Sequence, residues 1–339
     1  QLAELRTRLG GLPSPESAYV WADIWHLEAH HSTALEGNTL ALREVETLLD
    51  EGKAVGAKPL KEYMEVKGYG DAASWVYREA MGAGDRTADT LITVQEIRHI
   101  HHSTMTLVWQ VAPHPDASDA ESPGNFRRHD IHPFTEGMTP PPWPLVPAAL
   151  DEWVTAANTI PARLEAGGPL PELLAEAHNH FERVHPFLDG NGRAGRLALN
   201  LVLVRLGYPP VVILKEQRAA YLRAMQQADK GDVGPLGEIL ARAMIDNLNR
   251  FILPNVAGPA KLVPLAALAD SDLSLVALRA AAQRGRLDAH QRSDGQWLST
   301  RKAVNEYKKS RHPGARRATP PNSRARSGSR VYSCCYTEE

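Results

Sequence analysis

From Glu16 to Phe251 apolar residues recur at helical spacing over most of the chain, and proline, glycine and capping residues cut the pattern into successive segments. A chain punctuated this way folds as packed helices, because each segment has one apolar stripe to bury. Ser14-Pro15 sets a cap and a first-turn proline ahead of Glu16–Leu35, where Ala18, Trp21, Ala22 and Trp25 follow the helical period. Leu42, Val45, Leu48 and Leu49 predict a second helix closed by Gly52, and Pro59–Met81 predicts a longer one. Thr93-Val94-Gln95-Glu96 is a capping box for a helix that ends before Pro113. Helices are predicted again over Val146–Glu165, Glu172–His185, Asn191–Leu206, Lys215–Lys230 and Gly234–Phe251, with Gly207-Tyr208-Pro209-Pro210 as a stop signal. Residues 113–147 are rich in Pro and Gly and are expected to form loops with a short hairpin. Trp21, Trp25, Trp75 and Trp153 read as core.

Asn255–Pro264 reads as a linker to a second, smaller unit. There Leu265–Ala269 and Leu273–Arg284 flank Asp270-Ser271-Asp272 as helix, turn, helix, and Ser293-Asp294-Gly295 separates two short strand candidates, Leu287–His290 and Gln296–Leu298. Ser299 or Thr300 is placed to cap a last helix that runs to Lys309. Charge divides the same way. Residues 301–330 hold ten Lys or Arg against one acid, Glu306; setting these and the terminal Glu338 and Glu339 aside leaves 28 bases and 37 acids. The body is thus acidic and the tail, rich in Pro, Ser and Arg, is basic and expected to be disordered. The only cysteines are the adjacent Cys334 and Cys335, which excludes a disulfide framework and fits a reducing compartment, the cytoplasm. No apolar run is long enough to span a bilayer, so no membrane contact is expected.

The chemistry concentrates in His185-Pro186-Phe187-Leu188-Asp189-Gly190-Asn191-Gly192-Arg193-Ala194-Gly195-Arg196. It lies between two apolar helical segments and feeds a helix N-terminus. Gly190, Asn191 and Gly192 tolerate positive φ, so successive amides there can converge on an anion, with the helix dipole adding to the attraction. Arg193 and Arg196 share one helix face, and two guanidinium forks beside such a nest suit a polyphosphate. Asp189 is placed to hold Mg2+ bridging two phosphates. His185, which titrates near neutrality, is placed to take a proton from an attacking hydroxyl. Phe187 would anchor the loop in the core. A lone Gly-Asn-Gly before two arginines is an ordinary solvated helix start; here base, acid, nest and two arginines fall within twelve residues.

The stretch matches H-x-F-x-D/E-G-N-G-R-x-x-R, the motif of the Fic family, at every specified position, and the resemblance covers roughly residues 16–250. Gly124-Asn125-Phe126-Arg127 looks like the family's segment before the target-docking flap, here Arg128, His129, Asp130, Ile131 and His132. Pro140-Pro141-Pro142 with Val146-Pro147 resembles the segment after it. Asn200, Arg205-Leu206-Gly207-Tyr208-Pro209 and Arg218-x-x-Tyr221 continue the pattern. The resemblance implies a mainly α fold, a helical core with a short β-hairpin flap, with an N-terminal helical region at 1–92 and a catalytic core at 93–254. Separately, Leu278–Arg286, Trp297-Leu298-Ser299-Thr300-Arg301 and Val304–Tyr307 resemble a small winged helix-turn-helix module, placed at 265–310 and followed by the basic tail at 311–339. The Fic resemblance further implies a protein adenylyltransferase in which a target hydroxyl, activated by His185, attacks the α-phosphate of ATP and pyrophosphate leaves. Asp189 would bind Mg2+; Gly190, Asn191, Gly192, Arg193 and Arg196 would hold phosphates. Tyr221 and Asp229 fall to the nucleotide pocket, where relatives often carry Asn in place of Asp229.

Ser32-Thr33-Ala34-Leu35-Glu36-Gly37-Asn38 resembles the family's inhibitory pattern, in which Glu36 would pair with Arg196 and block the γ-phosphate, with Ser32 and Gly37 completing the motif. Some relatives use this Glu to remove AMP. Other nucleotidyl or phosphoryl transfer, and a DNA-binding regulator with a sensor core, are the competing readings. Expected partners are a target protein, a second copy of the chain as substrate or homodimer partner, and DNA or protein for the C-terminal module. His99, His101 and His102 share a predicted helix, but their spacings suit a zinc ion poorly. His114, His129 and His132 read equally as target-docking or plain loop residues.

Overall fold

The computed structural model describes residues 18–82, 90–133, 138–252, 263–291 and 295–311, with side chains from Ile24 onward. Ten helices build the larger part: α1 (Ala18–Leu35), α2 (Leu42–Glu51), α3 (Leu60–Met81), α4 (Val94–Val111), α5 (Val146–Asn158), α6 (Ile160–Glu165), α7 (Leu170–Val184), α8 (Asn191–Arg205), α9 (Arg218–Ala228) and α10 (Gly234–Asn247) among the described residues. Local chemistry sets their ends. Thr93 Oγ1 accepts from the Glu96 amide at 3.2 Å while the Glu96 carboxylate accepts from the Thr93 amide at 2.8 Å, which closes the start of α4. Gly52, at φ 68°, stops α2.

The mainly helical fold matches the expectation, with local differences. Val146–Glu165 is two helices, because Pro161 cannot donate into the first helix and instead opens the first turn of the second. The loop at 113–147 holds two short 3₁₀ turns, Asp119–Glu121 and Trp143–Leu145, and its other described residues are extended or turned without strand pairing; the tip of the expected hairpin, residues 134–137, lies outside the described residues.

α8 is the axis of the packing. It is apolar on nearly all sides and buried from Arg193 to Val204, as a helix enclosed by others must be. α3, α4, α7 and α1 pack around it, and α5 and α10 cover α7. α3 and α4 approach so closely that a β-carbon at Gly68 would lie 2.4 Å from the Thr104 carbonyl oxygen. Polar groups on α8 are paired, as burial requires. Asn200 exchanges two hydrogen bonds with the Val211 backbone, at 2.8 and 2.9 Å, and donates to Glu28 of α1 at 2.8 Å. Glu28 also accepts from Tyr69 at 2.8 Å and Tyr77 at 2.5 Å, so a buried carboxyl fastens α1 to α3 and α8.

The smaller unit has β1 (Val263–Pro264), a 3₁₀ turn (Leu265–Leu268), α11 (Leu275–Gln283), β2 (Ala289–Gln291), β3 (Trp297–Ser299) and α12 (Arg301–Arg311). Its antiparallel sheet has the order β1-β3-β2, with Val263 opposite Ser299 and His290 opposite Leu298. The first of the two helices expected here is thus only a 3₁₀ turn, and Thr300 caps the last. Ser14, Pro15, the side chain of Trp21, most of the expected linker, the turn residues Ser293 and Asp294, and the tail with Cys334 and Cys335 lie outside the described residues. Among the described residues no helix is long and apolar enough to cross a membrane.

Candidate active site

The loop between α7 and α8 is bracketed by two left-handed residues, His185 at φ 47° and Gly190 at φ 78°. Glycine adopts that conformation freely; a histidine must be held in it. Buried Arg127 does the holding. Its Nε donates to the His185 carbonyl at 2.9 Å, its backbone amide donates to the Pro186 carbonyl at 3.0 Å, and its Nη2 reaches the Pro141 carbonyl at 2.6 Å. Phe187 is fully buried and stacks on His101 at 3.7 Å, as an anchor should. His101 then bridges two loops: its Nδ1 accepts from the Gly124 amide at 2.8 Å, so Nε2 carries the proton and donates to the Asp189 carbonyl at 2.9 Å. Burial pushes His101 down to about 3, which keeps that tautomer neutral. His99 packs on Trp75 and His102 meets the Pro123 carbonyl, so the three histidines of α4 serve separate partners.

His185 itself is half-buried at the wall of a cleft of about 560 Å³. Its Nδ1 donates to the Glu182 carbonyl at 3.0 Å, which makes Nε2 the basic nitrogen. Burial, with help from Arg127, lowers its pKa to about 4, so the imidazole is neutral at physiological pH.

Asn191 closes the loop on itself, accepting from the Phe187 amide at 2.9 Å and donating to the Phe187 carbonyl at 2.8 Å. Its side chain is therefore committed to Phe187, so any anion at this loop would have to meet main-chain amides of the first turn of α8 rather than the Asn191 side-chain amide. Asp189 accepts from the Gly190 amide at 2.6 Å and from Arg193 at 3.2 Å through one oxygen. Burial opposes ionisation of Asp189, but Arg193 and the Gly190 amide outweigh it and hold the carboxyl below its ordinary range. The second oxygen accepts no hydrogen bond among the described residues, so a carboxylate on the cleft wall retains a lone hard-oxygen ligand suited to Mg2+.

The two motif arginines differ. Arg193 is buried, yet its Nε and Nη1 have no hydrogen-bond acceptor, and Glu65 lies 3.8 Å from Nη1. Buried guanidinium N–H groups without acceptors mark a place for an anion. Arg196 is engaged by Ser32 and Glu36 at the end of α1. Nε donates to Ser32 Oγ at 2.7 Å; Nη2 donates to the Ser32 carbonyl at 3.0 Å and to Glu36 Oε1 at 2.7 Å. Burial works against the Glu36 carboxylate, but Arg196 holds its pKa below the ordinary value. Gly37, at φ 101°, ends α1 beside it, and Arg218 on α9 donates to the Leu35 carbonyl at 2.8 Å, tying that end to the cleft.

At the far end of the cleft, Tyr221 Oη meets His178 Nε2 at 2.7 Å, and Asn179 donates to one oxygen of Asp229 at 2.8 Å. The expected docking residues lie within the 113–147 loop and are held by groups of the same loop. The Arg128 amide and His129 Nδ1 both meet Glu121, at 2.6 and 2.9 Å, and Asp130 accepts from the Trp143 amide at 2.8 Å. Ile131 is half-buried and His132 exposed. Glu121 is buried, but the Arg128 and Ser118 amides, the Ser118 hydroxyl and His129 lower its pKa to about 2. Sequence reasoning missed Glu121, although Ser118-x-x-Glu121 is itself a readable capping box.

Residues 91–203 match the model of the Fic/DOC family. Protein adenylyltransferase Fic of Culex quinquefasciatus is 30% identical over 238 residues, which cover 68% of this chain and 42% of that protein. The Drosophila melanogaster protein of the same name is 29% identical over 227 residues, 66% of this chain and 41% of that one. A Fic domain containing signaling protein from Bacteroides thetaiotaomicron has a similar solved structure, with a TM-score of 0.61 at 28% identity over 75% of this chain and 95% of that one. The chain belongs to the Fic/DOC family. It spans about two fifths of the length of the curated relatives it matches.

Proposed function

We propose that the protein is an adenylyltransferase that moves AMP from ATP to a hydroxyl of a target protein, with the described fold at rest in a restrained state. The observation that carries this reading is a neutral imidazole beside a helix N-terminus at which one buried arginine has unmatched donors and the other is held by a carboxylate. His185 Nε2 takes the proton of the target hydroxyl. The hydroxyl oxygen bonds to the α-phosphorus, the bond to the bridging oxygen breaks, and pyrophosphate leaves. The α8 amides and Arg193 hold the phosphates; Arg196 takes the γ-phosphate when Glu36 withdraws. Mg2+ would be held by Asp189 and would neutralise charge on the phosphates. Tyr221 and Asp229 bound the base end, and Arg128 to His132 border the path of the target chain. Residues 93–254 are the catalytic unit in this reading, and the family names of the relatives, adenylyltransferases, support ATP as the donor.

ATP labelled at the α- or the γ-phosphate separates this chemistry from phosphoryl transfer. Label from the α-position is expected in a protein band, including the chain itself, and none from the γ-position. A protein band labelled from the γ-position would assign phosphoryl transfer instead.

A further inference from the structure

We propose that the C-terminal unit, residues 263–311, binds double-stranded DNA, with α11 entering the major groove. This goes beyond the transfer reaction and does not depend on it.

Topology comes first. The turn at Asp270–Asp272 leads from the short 3₁₀ segment into α11, and Lys308 of α12 is bonded to both aspartates, so α12 is clamped to the turn and the start of α11. β2 and β3 follow α11 as an antiparallel ribbon. A second helix presented by a turn, with a ribbon beside it, is the geometry in which helix-turn-helix proteins read a groove.

Side chains then choose the ligand. Between Val263 and Arg311 there are nine Lys or Arg and five Asp or Glu. Among the described residues of this unit only Lys308 makes an ion pair. Arg279, Arg284 and Arg286 are exposed on and just beyond α11, with no acidic partner among the described residues. In the helical core, by contrast, Arg193, Arg196 and Arg205 are each paired with carboxylates. Among the described residues no other element covers the outer face of α11. It carries Val276, 76% exposed, then Arg279 and Gln283 at helical spacing. That set matches the edges a major groove presents: a methyl group, the acceptors of guanine, and the donor–acceptor pair of adenine. An α-helix with its side chains is about 10–12 Å across, which fits a groove about 12 Å wide.

Other polyanions fit less well. Single-stranded nucleic acid calls for exposed aromatic platforms, and the aromatic residues here, Trp297 and Tyr307, are half-buried. An anionic membrane calls for a broad apolar face, and Val276 is the only large exposed apolar side chain of the unit among the described residues.

Fluorescence anisotropy of a labelled random-sequence duplex with the full chain tests this. Binding is expected to weaken linearly in log salt, with a slope of about −0.9 for each phosphate neutralised. The triple variant R279A/R284A/R286A is expected to lose more than about tenfold in affinity near 50 mM salt and to flatten the slope by about 2 to 3. Val276→Glu, which changes one side chain on the groove face, is expected to weaken binding as well. An unchanged melting temperature for both variants assigns the loss to contact rather than folding. The proposal is overturned if both variants bind the duplex as the parent does, which would give the binding to the basic tail. It is also overturned if single-stranded RNA of equal length or phosphatidylserine vesicles bind more tightly than the duplex, or if no duplex binding is found.

Discussion

At the start of α8, Arg193 and Arg196 are buried and aimed by their neighbours; in the C-terminal unit, Arg279, Arg284 and Arg286 stand in solvent without an acidic partner among the described residues. Both sets suit phosphate, and the difference lies in what each can do with it. A buried guanidinium acts in a weakly screened environment, so it fixes one phosphate oxygen in place, and a single competing carboxylate can hold it shut. An exposed arginine acts through water and salt within a Debye length of about 8 Å, so it adds affinity by number and tolerates many arrangements. On the proposed readings, selectivity and control belong to the first site and reach to the second.

The largest effect that bears on this contrast comes from the base beside the buried pair. His185→Ala is expected to lower self-labelling by roughly 100- to 10,000-fold, the usual range for a general base, while ATP still binds. Undiminished labelling by that variant would remove His185 from the mechanism. Asp189→Ala is expected to lose about a hundredfold or more, on the scale of removing one electrostatic contact to developing charge. Activity that survives excess EDTA would disprove the metal role of Asp189.

Salt separates the two arginine sets directly. Raising KCl from about 50 to 200 mM is expected to shift KM for ATP by less than about threefold, because Arg193 and Arg196 are little screened, while duplex binding falls by more than about tenfold. Parallel falls would mean that both sites act as surface charge. The smallest effect concerns pH. A His185 pKa lowered to about 4 leaves the base neutral throughout the physiological range, so the rate is expected to stay level from pH 8 down to about 6 and to fall only towards pH 4. An acid limb centred near 6.5, the ordinary imidazole value, would contradict that burial.

The loop from His185 to Arg196 was legible because its parts lie within one short window and each residue type has a local reason to be there. Its support was less so. Arg127 reaches His185 across 58 positions and Pro141 across 14, and only a likeness to a known segment, not periodicity, singled it out. His101 read as an ordinary helical histidine, yet it sits on the buried stripe with Ile97, Ile100, Thr104 and Met105, a position that obliges a polar ring to find partners. Glu28 gave no signal at all: three donors from α3 and α8 converge on it, and none is near it in sequence. The split at Pro161 is legible from the proline alone, but apolar spacing that continues across it predicts one helix.

The contact between Glu36 and Arg196 spans 160 positions and bears most directly on the central claim, that the carboxylate just past the end of α1 restrains adenylyl transfer by occupying the fork proposed for the γ-phosphate. A charge-assisted hydrogen bond of this kind contributes about 1.5–3 kcal/mol, or roughly ten- to a hundredfold in seating the nucleotide. The measurement is the initial rate of α-phosphate label transfer by the parent chain, Glu36→Gly, Arg196→Ala and the double variant. Glu36→Gly is expected to be about ten- to a hundredfold faster than the parent, and the double variant to lose that gain, because the freed fork is what binds phosphate. A folded, ATP-binding Glu36→Gly variant no faster than the parent would contradict the restraint and leave Glu36 as an ordinary helix-end residue.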